Sequence, residues 1–138
     1  MRMGDPEGQV LIPRLASDLY LHCRESALGR IETEVKLADV ACVGVALASE
    51  GYPPAPVRKG DVIEGLDAAG ALDGVTLFHA GTKAGADGRV TTNGGRVLTV
   101  SATGSDLGAA RDRAYEAAAL ISWPGLHYRR DIAAQALL

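Results

Sequence analysis

The sequence has 138 residues, which is enough for one domain or for one small domain with an arm. Hydrophobic residues make up 47% and can fill a core, but only 4% are aromatic, so alanine, valine and leucine must do most of the packing. The 14 basic and 17 acidic residues give a formal net charge of −3, which argues against a nucleic-acid-binding surface.

Targeting signals and patterned cysteines are missing from the sequence. The chain has no apolar run of about 18 residues, which argues against a transmembrane helix and a membrane partner. The first ten residues, MRMGDPEGQV, contain no apolar segment of the kind found in secretory signals. Cys23 and Cys42 follow no disulfide or metal-binding spacing, so we expect two reduced thiols in a cytoplasmic protein.

The N-terminal quarter predicts a loop followed by a helix. Residues 1–9 are polar and non-periodic, which favours a loop. Apolar residues then recur every four positions, predicting a helix from about Pro13 to Leu28 that stops at Gly29. The apolar stripe consists of Leu11, Leu15, Leu19 and Cys23.

The middle of the chain is rich in strand-forming residues. Residues 40–49 and 74–80 predict two strands, separated by the extended, proline-rich loop 50–61. Residues 88–102 predict a hairpin of two β-rich runs that turns at Asn93, Gly94 and Gly95, with Asn93 supplying a positive φ.

The C-terminal part predicts a helix from about Ser105 to Ile121, with Ser105 as N-cap and Asp106 in the first turn. Its apolar stripe should lie in the core and consists of Leu107, Ala110, Ala114, Ala118 and Ile121. The tail from residue 128 predicts one more short helix. Strands in the middle and helices at the ends favour an α+β fold, a small antiparallel sheet with helices on one face.

Two glycine-containing loops carry basic residues: Lys83 ends FHAGTK, residues 78–83, and Arg96 follows the Gly-Gly pair of TNGGRVLTV, residues 92–100. Glycines let a ligand approach the backbone, and converging lysine and arginine side chains suit a phosphate group. The alternative is that both are solvated charges at strand ends, because nothing in the spacing proves that they converge.

Other chemistry-bearing residues favour structural roles. His79 ends a strand and is more typical of a packed or hydrogen-bonded residue than of a catalyst. Asp61 and Glu64 have no partner base, and the three histidines have no metal-ligand spacing. Because nucleotide-binding glycine loops and nucleophile motifs are also missing, the residues themselves indicate an α+β module with a candidate anion site and no self-sufficient catalytic set.

Several segments in a fixed order nevertheless resemble the C-terminal part of the phosphoribosylamine–glycine ligase family, which belongs to the ATP-grasp superfamily. The resemblance covers nearly the whole chain. The segments are GDPE (4–7), GYPPAPVRKGDVIEGL (51–66), FHAGTK (78–83), TNGGRVLTV (92–100) and RRDIA (129–133).

The resemblance implies a ligase of purine biosynthesis that joins glycine to 5-phosphoribosylamine with ATP hydrolysis and Mg²⁺. It implies that residues 1–36 end the ATP-grasp region and that residues 37–138 form the ligase C-terminal domain. The family motif Glu-x-Asn-x-Arg-x-Gly-Asp-Pro-Glu is cut, because its metal-ligating glutamate and asparagine would precede Met1. We therefore expect no metal site and no bound ATP in this chain alone, which would be inactive without its N-terminal and ATP-grasp domains.

Residue by residue, the resemblance implies that Arg2 is catalytic, near the transferred phosphoryl group or the glycine carboxylate. It places Asp5 and Glu7 at the active-site edge. Lys83 and Arg96 would hold the phosphate of phosphoribosylamine, and the tight turn at Gly94 and Gly95 would present Arg96.

Two further interpretations stay open at this point. The chain could be a stand-alone, non-catalytic module that binds a phosphorylated sugar or a partner protein. It could also be a structural remnant without a ligand, with an apolar face exposed on strand 40–49 or near Leu15 and Leu19.

Overall fold

The computed structural model describes residues 4–54 and 56–138, and the fold combines short helices with two small antiparallel sheets. In chain order the elements are α1 (Glu7–Leu11), a 3-10 helix (Ile12–Arg14), α2 (Leu19–Ala27), β1 (Ala41–Ala48), α3 (Leu66–Gly70), β2 (Val75–His79), β3 (Thr82–Ala84), β4 (Val90–Thr92), β5 (Arg96–Gly104), α4 (Leu107–Leu120) and a 3-10 helix (Ala134–Leu137).

The main sheet has the order β1-β5-β2, and both pairings are antiparallel. Its central strand β5 pairs Val100 with Val45 on one side and with Leu77 on the other. Because β5 is covered on both faces, its residues from Val97 to Ala102 are all buried. The strands predicted at 40–49 and 74–80 are thereby confirmed.

The hairpin predicted at residues 88–102 is wrong. β4 pairs with β3 in a separate two-stranded sheet, with Thr92 opposite Thr82, while β5 joins the main sheet. Residues 93–95 therefore connect two sheets, and Asn93 does not have a positive φ. The actual hairpin runs from Thr82 to Thr92 and turns at Gly88, whose φ is 79°.

Helix α4 packs on one face of the main sheet and closes the core, as its apolar stripe predicts. The alanine side chains bring helix and sheet close together, and Gly104 at the end of β5 leaves room for the backbone of Ala110. Trp123, 6% exposed, and Ile63 complete this core from the loops. Four alanines of α4 are fully buried: Ala110, Ala114, Ala117 and Ala118.

Helix α1 lies on the opposite face of the sheet, because the methyl group of Val10 fills a notch at Gly44. A Cβ built on Gly44 would lie 2.8 Å from Val10 Cγ1 and 3.4 Å from Ser101 Oγ. The α+β class is confirmed, but helices cover both faces of the sheet rather than one. The loop predicted for residues 1–9 is wrong from Glu7 onward, since α1 begins there.

The helix predicted from Pro13 to Leu28 is shorter than expected. α2 begins only at Leu19, because the Asp18 carboxylate accepts a hydrogen bond from Tyr20 N at 2.8 Å and caps it there. The predicted stop is confirmed, since Gly29 has a φ of 72°. The apolar stripe of residues 11–19 therefore spans α1, the 3-10 helix and the start of α2 instead of one continuous helix.

The cap of α4 also differs from the prediction. Asp106, rather than Ser105, is the N-cap residue, and its carboxylate accepts a hydrogen bond from Ala109 N at 2.8 Å. A carboxylate at the N-terminus of a helix accepts a hydrogen bond from an otherwise unpaired backbone N–H. The positive end of the helix dipole also stabilises its negative charge. The tail forms a 3-10 helix rather than an α-helix. In the described part of the chain, both cysteines are free, and no helix is long and apolar enough to cross a membrane.

Candidate functional site

The two glycine-containing loops meet at the end of strands β2 and β5. Beyond β2, Ala80 N donates to Val97 O and Gly81 N donates to Arg96 O, both at 3.0 Å. Asn93 N in turn donates to Gly81 O at 2.7 Å. These three backbone hydrogen bonds join the FHAGTK segment to the segment that carries Arg96.

Glycine is required here for close approach of two backbones. A Cβ built on Gly81 would lie 2.7 Å from Gly94 Cα, and one built on Gly94 would lie 3.0 Å from Gly81 Cα. Neither Gly94 nor Gly95 has a positive φ, so the tight hairpin turn expected from them is wrong. Glycine is needed at both positions because any larger side chain would collide with a neighbouring segment.

Arg96 is held by the N-terminal motif. Its Nη2 lies 2.8 Å from Asp5 Oδ2, and its Nη1 donates to the Asp5 carbonyl at 3.1 Å. The second carboxylate oxygen of Asp5 accepts a hydrogen bond from Gln9 Nε2 at 3.0 Å. The side chains of Arg96 and Asp5 are 43% and 41% exposed, so water screens this pair and its contribution to stability is small.

Helix α1 brings Asp5 to this place. Val10, one turn after the motif, sits in the notch at Gly44, and this contact fixes the helix against β1 and β5. Sequence reasoning missed Gly44, although a glycine inside a buried strand often marks close approach of another segment. Glu7, which was expected with Asp5 at the active-site edge, accepts a hydrogen bond from Gly4 N through its Oε2 at 2.7 Å.

Lys83 lies on the neighbouring hairpin. Its carbonyl accepts a hydrogen bond from Thr91 Oγ1 at 3.3 Å, and its side chain is exposed. The backbone of Lys83 follows Gly81 by two residues, which is about 7 Å along a strand. Backbone hydrogen bonds join the two loops, but within the described residues no hydrogen bond or ion pair links the Lys83 and Arg96 side chains. Arg2, the predicted catalytic residue, lies outside the described residues.

The histidines make structural hydrogen bonds. His79 Nδ1 lies 3.1 Å from Thr82 Oγ1, and His22 Nε2 lies 2.7 Å from Ser17 Oγ. His127 Nε2 donates to the Tyr52 carbonyl at 2.9 Å, which fixes the proton on that nitrogen.

The candidate carboxylate pair Asp61 and Glu64 is also explained by structure. Asp61 accepts from Arg58, with Nη2 at 2.9 Å, and this contact is the first cause of the raised pKa of the Arg58 guanidinium. Backbone hydrogen bonds in both directions tie Glu64 to Ser122. The other carboxylate oxygen of Asp61, Oδ2, is buried and has no hydrogen-bond partner among the described residues.

Across residues 4–54 and 56–138, no three His, Cys, Asp or Glu side chains are close enough together to hold a metal ion. What the described residues do offer is a guanidinium beside exposed backbone at the junction of two loops. Such an arrangement can bind an anion, but it contains no nucleophile with an activating base.

Comparisons with known proteins agree on one family. Residues 42–135 match the family model described as phosphoribosylglycinamide synthetase, C domain. Phosphoribosylamine–glycine ligase of Brucella melitensis biotype 1 is 48% identical over 132 residues, covering 95% of this chain and 30% of the relative. The Neisseria meningitidis serogroup A enzyme of the same name is 44% identical, covering 99% of this chain and 32% of the relative.

A solved structure is also similar. The crystal structure of phosphoribosylamine–glycine ligase from Thermotoga maritima superposes with a TM-score of 0.80 at 36% identity, covering 96% of this chain and 32% of that one. The chain thus spans about a third of the length of the proteins that it matches. The family model covers more than half of the chain, and the chain therefore belongs to the phosphoribosylglycinamide synthetase C domain family.

Proposed function

We propose that this chain is the C-terminal part of a phosphoribosylamine–glycine ligase, an ATP-dependent enzyme that forms a carbon–nitrogen bond in purine biosynthesis. The names of the relatives support this activity, and so does the match over almost the entire chain. The reaction would take phosphoribosylamine, glycine and ATP, with Mg²⁺ bound by parts of the enzyme other than the described residues. A cytoplasmic location and the absence of a nucleic-acid or membrane partner belong to the same proposal.

One observation carries the proposal for the site: Asp5 and Arg96, which are 91 residues apart, contact each other. This contact joins GDPE, residues 4–7, to the NGGR segment, residues 93–96. The two segments were identified independently from the sequence. We propose that Arg96, with Lys83 on the adjoining hairpin, binds the phosphate of phosphoribosylamine. Asp5 contacts two nitrogens of a group with five N–H donors, so donors remain for a phosphate oxygen.

The roles of the other site residues follow from this assignment. Gly94 and Gly95 would contribute by letting neighbouring groups approach the loop closely, and Glu7 by holding Gly4 at the active-site edge. The assignment of Arg2 to a catalytic role stays a proposal that rests on the resemblance alone.

We also propose that the N-terminal arm, residues 4–39, packs against the missing ATP-grasp and N-terminal domains. An open cleft of about 210 Å³ in this arm is lined entirely by apolar side chains. Such a surface is costly to leave in water, and it fits the face of a preceding domain. The lining residues are Leu11, Ile12, Leu15, Leu19, Val35 and Leu37. The boundary between residues 36 and 37 stays a proposal that rests on the resemblance.

A chimaera tests the function directly. The matching segment of the Brucella melitensis relative is replaced by this chain, and ATP-dependent formation of glycinamide ribonucleotide is measured. We expect an active chimaera in which Arg96→Ala lowers kcat/KM for phosphoribosylamine by about 10- to 100-fold, because a charge-assisted contact is lost. Arg113→Ala removes a partly exposed arginine from α4 and should leave activity unchanged.

A folded but inactive chimaera would contradict the ligase function and favour a stand-alone binding module. An active chimaera that is insensitive to Arg96→Ala would retain the function but overturn the phosphate site. If Arg96→Ala lowers activity, the Arg113→Ala control separates that loss from a general effect of losing positive charge.

A further inference from the structure

The ring of Tyr52 packs directly on the backbone of Gly95. A Cβ built on Gly95 would lie 2.7 Å from Tyr52 Cε2 and 2.8 Å from Cγ, with a still closer approach to Cδ2. The ring therefore occupies the volume that any other residue's side chain would need at this position. Gly95 immediately precedes Arg96, so the contact lies next to the proposed phosphate-binding side chain.

Hydrogen bonds hold the backbone around Tyr52 in place. Ser49 N donates to Gly95 O at 2.9 Å, and Tyr52 N donates to Ser49 O at 3.2 Å. His127 Nε2 donates to the Tyr52 carbonyl, while the backbone of His127 pairs with that of Ala48 at the end of β1. The loop is therefore anchored to β1, to the NGGR segment and to the segment around His127.

A further ion pair closes this loop at its far end. Arg58 contacts Glu50 Oε2 at 3.5 Å as well as Asp61, and Arg58 N donates to Glu50 O at 3.2 Å. These contacts bring both ends of loop 50–61 together. The Tyr52 ring that contacts Gly95 therefore belongs to a loop whose two ends are joined by these contacts.

Tyr52 differs from the tyrosines that fill the core. Tyr115 and Tyr128 pack against the buried core residues, whereas Tyr52 is half-buried and meets a backbone at the edge of the candidate site. An aromatic ring pressed on a glycine restricts how that glycine, and the residue after it, can move. Arg96 follows Gly95 directly, so the Arg96 side chain extends from the backbone next to this contact.

We propose that Tyr52 is a positioning residue whose ring holds Gly95 and thereby orients Arg96 toward the phosphate of the substrate. The proposal rests on the phosphate site assigned above. It extends that site to a loop for which the sequence analysis assigned no site residue.

The test is a titration of the chain with glycinamide ribonucleotide, followed by NMR at the amides of residues 78–83 and 92–97. Tyr52→Ala should weaken binding by about tenfold because Arg96 is no longer held in its orientation. Tyr52→Phe keeps the ring and should bind within about twofold of the wild type. Tyr20→Ala removes a tyrosine that is 69% exposed in α2 and serves as the matched control.

The Nε–Hε resonance of Arg96 in the ligand-free chain gives a second, independent measurement. It should shift in Tyr52→Ala and stay in place in Tyr52→Phe and Tyr20→Ala. If the wild type binds no ligand while these shifts occur, the phosphate site fails in the isolated chain but the positioning role is supported. An unmoved resonance in Tyr52→Ala, or equal effects of the alanine and phenylalanine variants, would overturn the role of the ring.

Discussion

The sheet with α4 and the N-terminal arm use apolar residues in opposite ways. In the sheet, Leu47, Leu98 and Val100 are completely buried, whereas in the arm Leu28, Ile31 and Val35 are each more than half exposed. Of the twelve large hydrophobic residues exposed in the described part of the chain, nine lie between positions 11 and 37. The sheet and α4 therefore bury their large hydrophobic residues, while the arm leaves most of its own exposed.

Hydrogen bonds replace packing in the arm. Ala16 N donates to Lys36 O at 2.8 Å and Ala38 N donates to Arg14 O at 2.7 Å, which closes the arm on itself. The carboxylate of Glu25 accepts hydrogen bonds from Glu32 N, Thr33 N and the Thr33 hydroxyl. Because exposed hydrogen bonds add little net stability, we expect this region to open locally before the sheet does.

The largest effect should come from emptying the core. Leu98→Ala removes a fully buried side chain and should lower the free energy of unfolding by about 2–5 kcal/mol. Leu37→Ala, at a residue that is 47% exposed in the arm, should change it by less than about 0.5 kcal/mol. Urea unfolding of both variants measures the difference, and equal losses would contradict the proposed division between the two regions.

The second-largest effect should be a difference in stability between two variants that each remove an aspartate N-cap, one from α4 and one from α2. Asp106→Ala removes the cap of α4 and should cost about 1 kcal/mol of global stability. Asp18→Ala removes the same type of cap from α2 but should only speed amide exchange within the arm. Denaturant unfolding combined with hydrogen exchange distinguishes the two responses. If Asp18→Ala lowered global stability as much as Asp106→Ala, the arm and the sheet would unfold as one unit.

The smallest effect should come from pH. The side-chain hydrogen bond from Thr33, followed by the backbone hydrogen bonds from Thr33 and Glu32, lowers the pKa of Glu25 from 4.5 to about 2. Since the folded-state pKa is depressed, this stabilisation is present above pH 4.5 and is lost as pH falls toward 2. An NMR titration of the carboxyl carbon measures the midpoint. Thr33→Ala removes the hydroxyl and should raise the midpoint toward 4.5, and an unchanged midpoint in that variant would show that the Thr33 hydroxyl is not the cause.

Local patterns predicted the parts of the fold that local chemistry determines. The alanine stripe of α4 and the β-branched strand β1 each have one stable environment, which is the core. The pairing of β4 was mispredicted because a β-rich run fits either neighbour. β4 pairs with β3, and the hydrogen bond from Asn93 N to Gly81 O continues this pairing by one position. Strand propensity depends on context and does not identify the partner strand.

The candidate site was predicted in its members but not in its geometry. Arg96 and Asp5 were both singled out, yet their contact depends on Val10 entering the notch at Gly44, and no spacing rule reports that contact. Tyr52 was missed because a tyrosine in a proline-rich loop carries no periodic signal. Its counterpart Gly95 was noticed for its conformational freedom, whereas its function in the fold is to leave room for a ring.

The position of Trp123 has a consequence for spectroscopy. It is the only tryptophan of the sequence, and it is buried against the sheet rather than in the arm. Intrinsic tryptophan fluorescence will therefore follow the loss of the core and should be largely silent when the arm opens. A single sigmoidal fluorescence transition would be compatible with an arm that has already opened, so a second probe in residues 11–37 is needed to detect that opening.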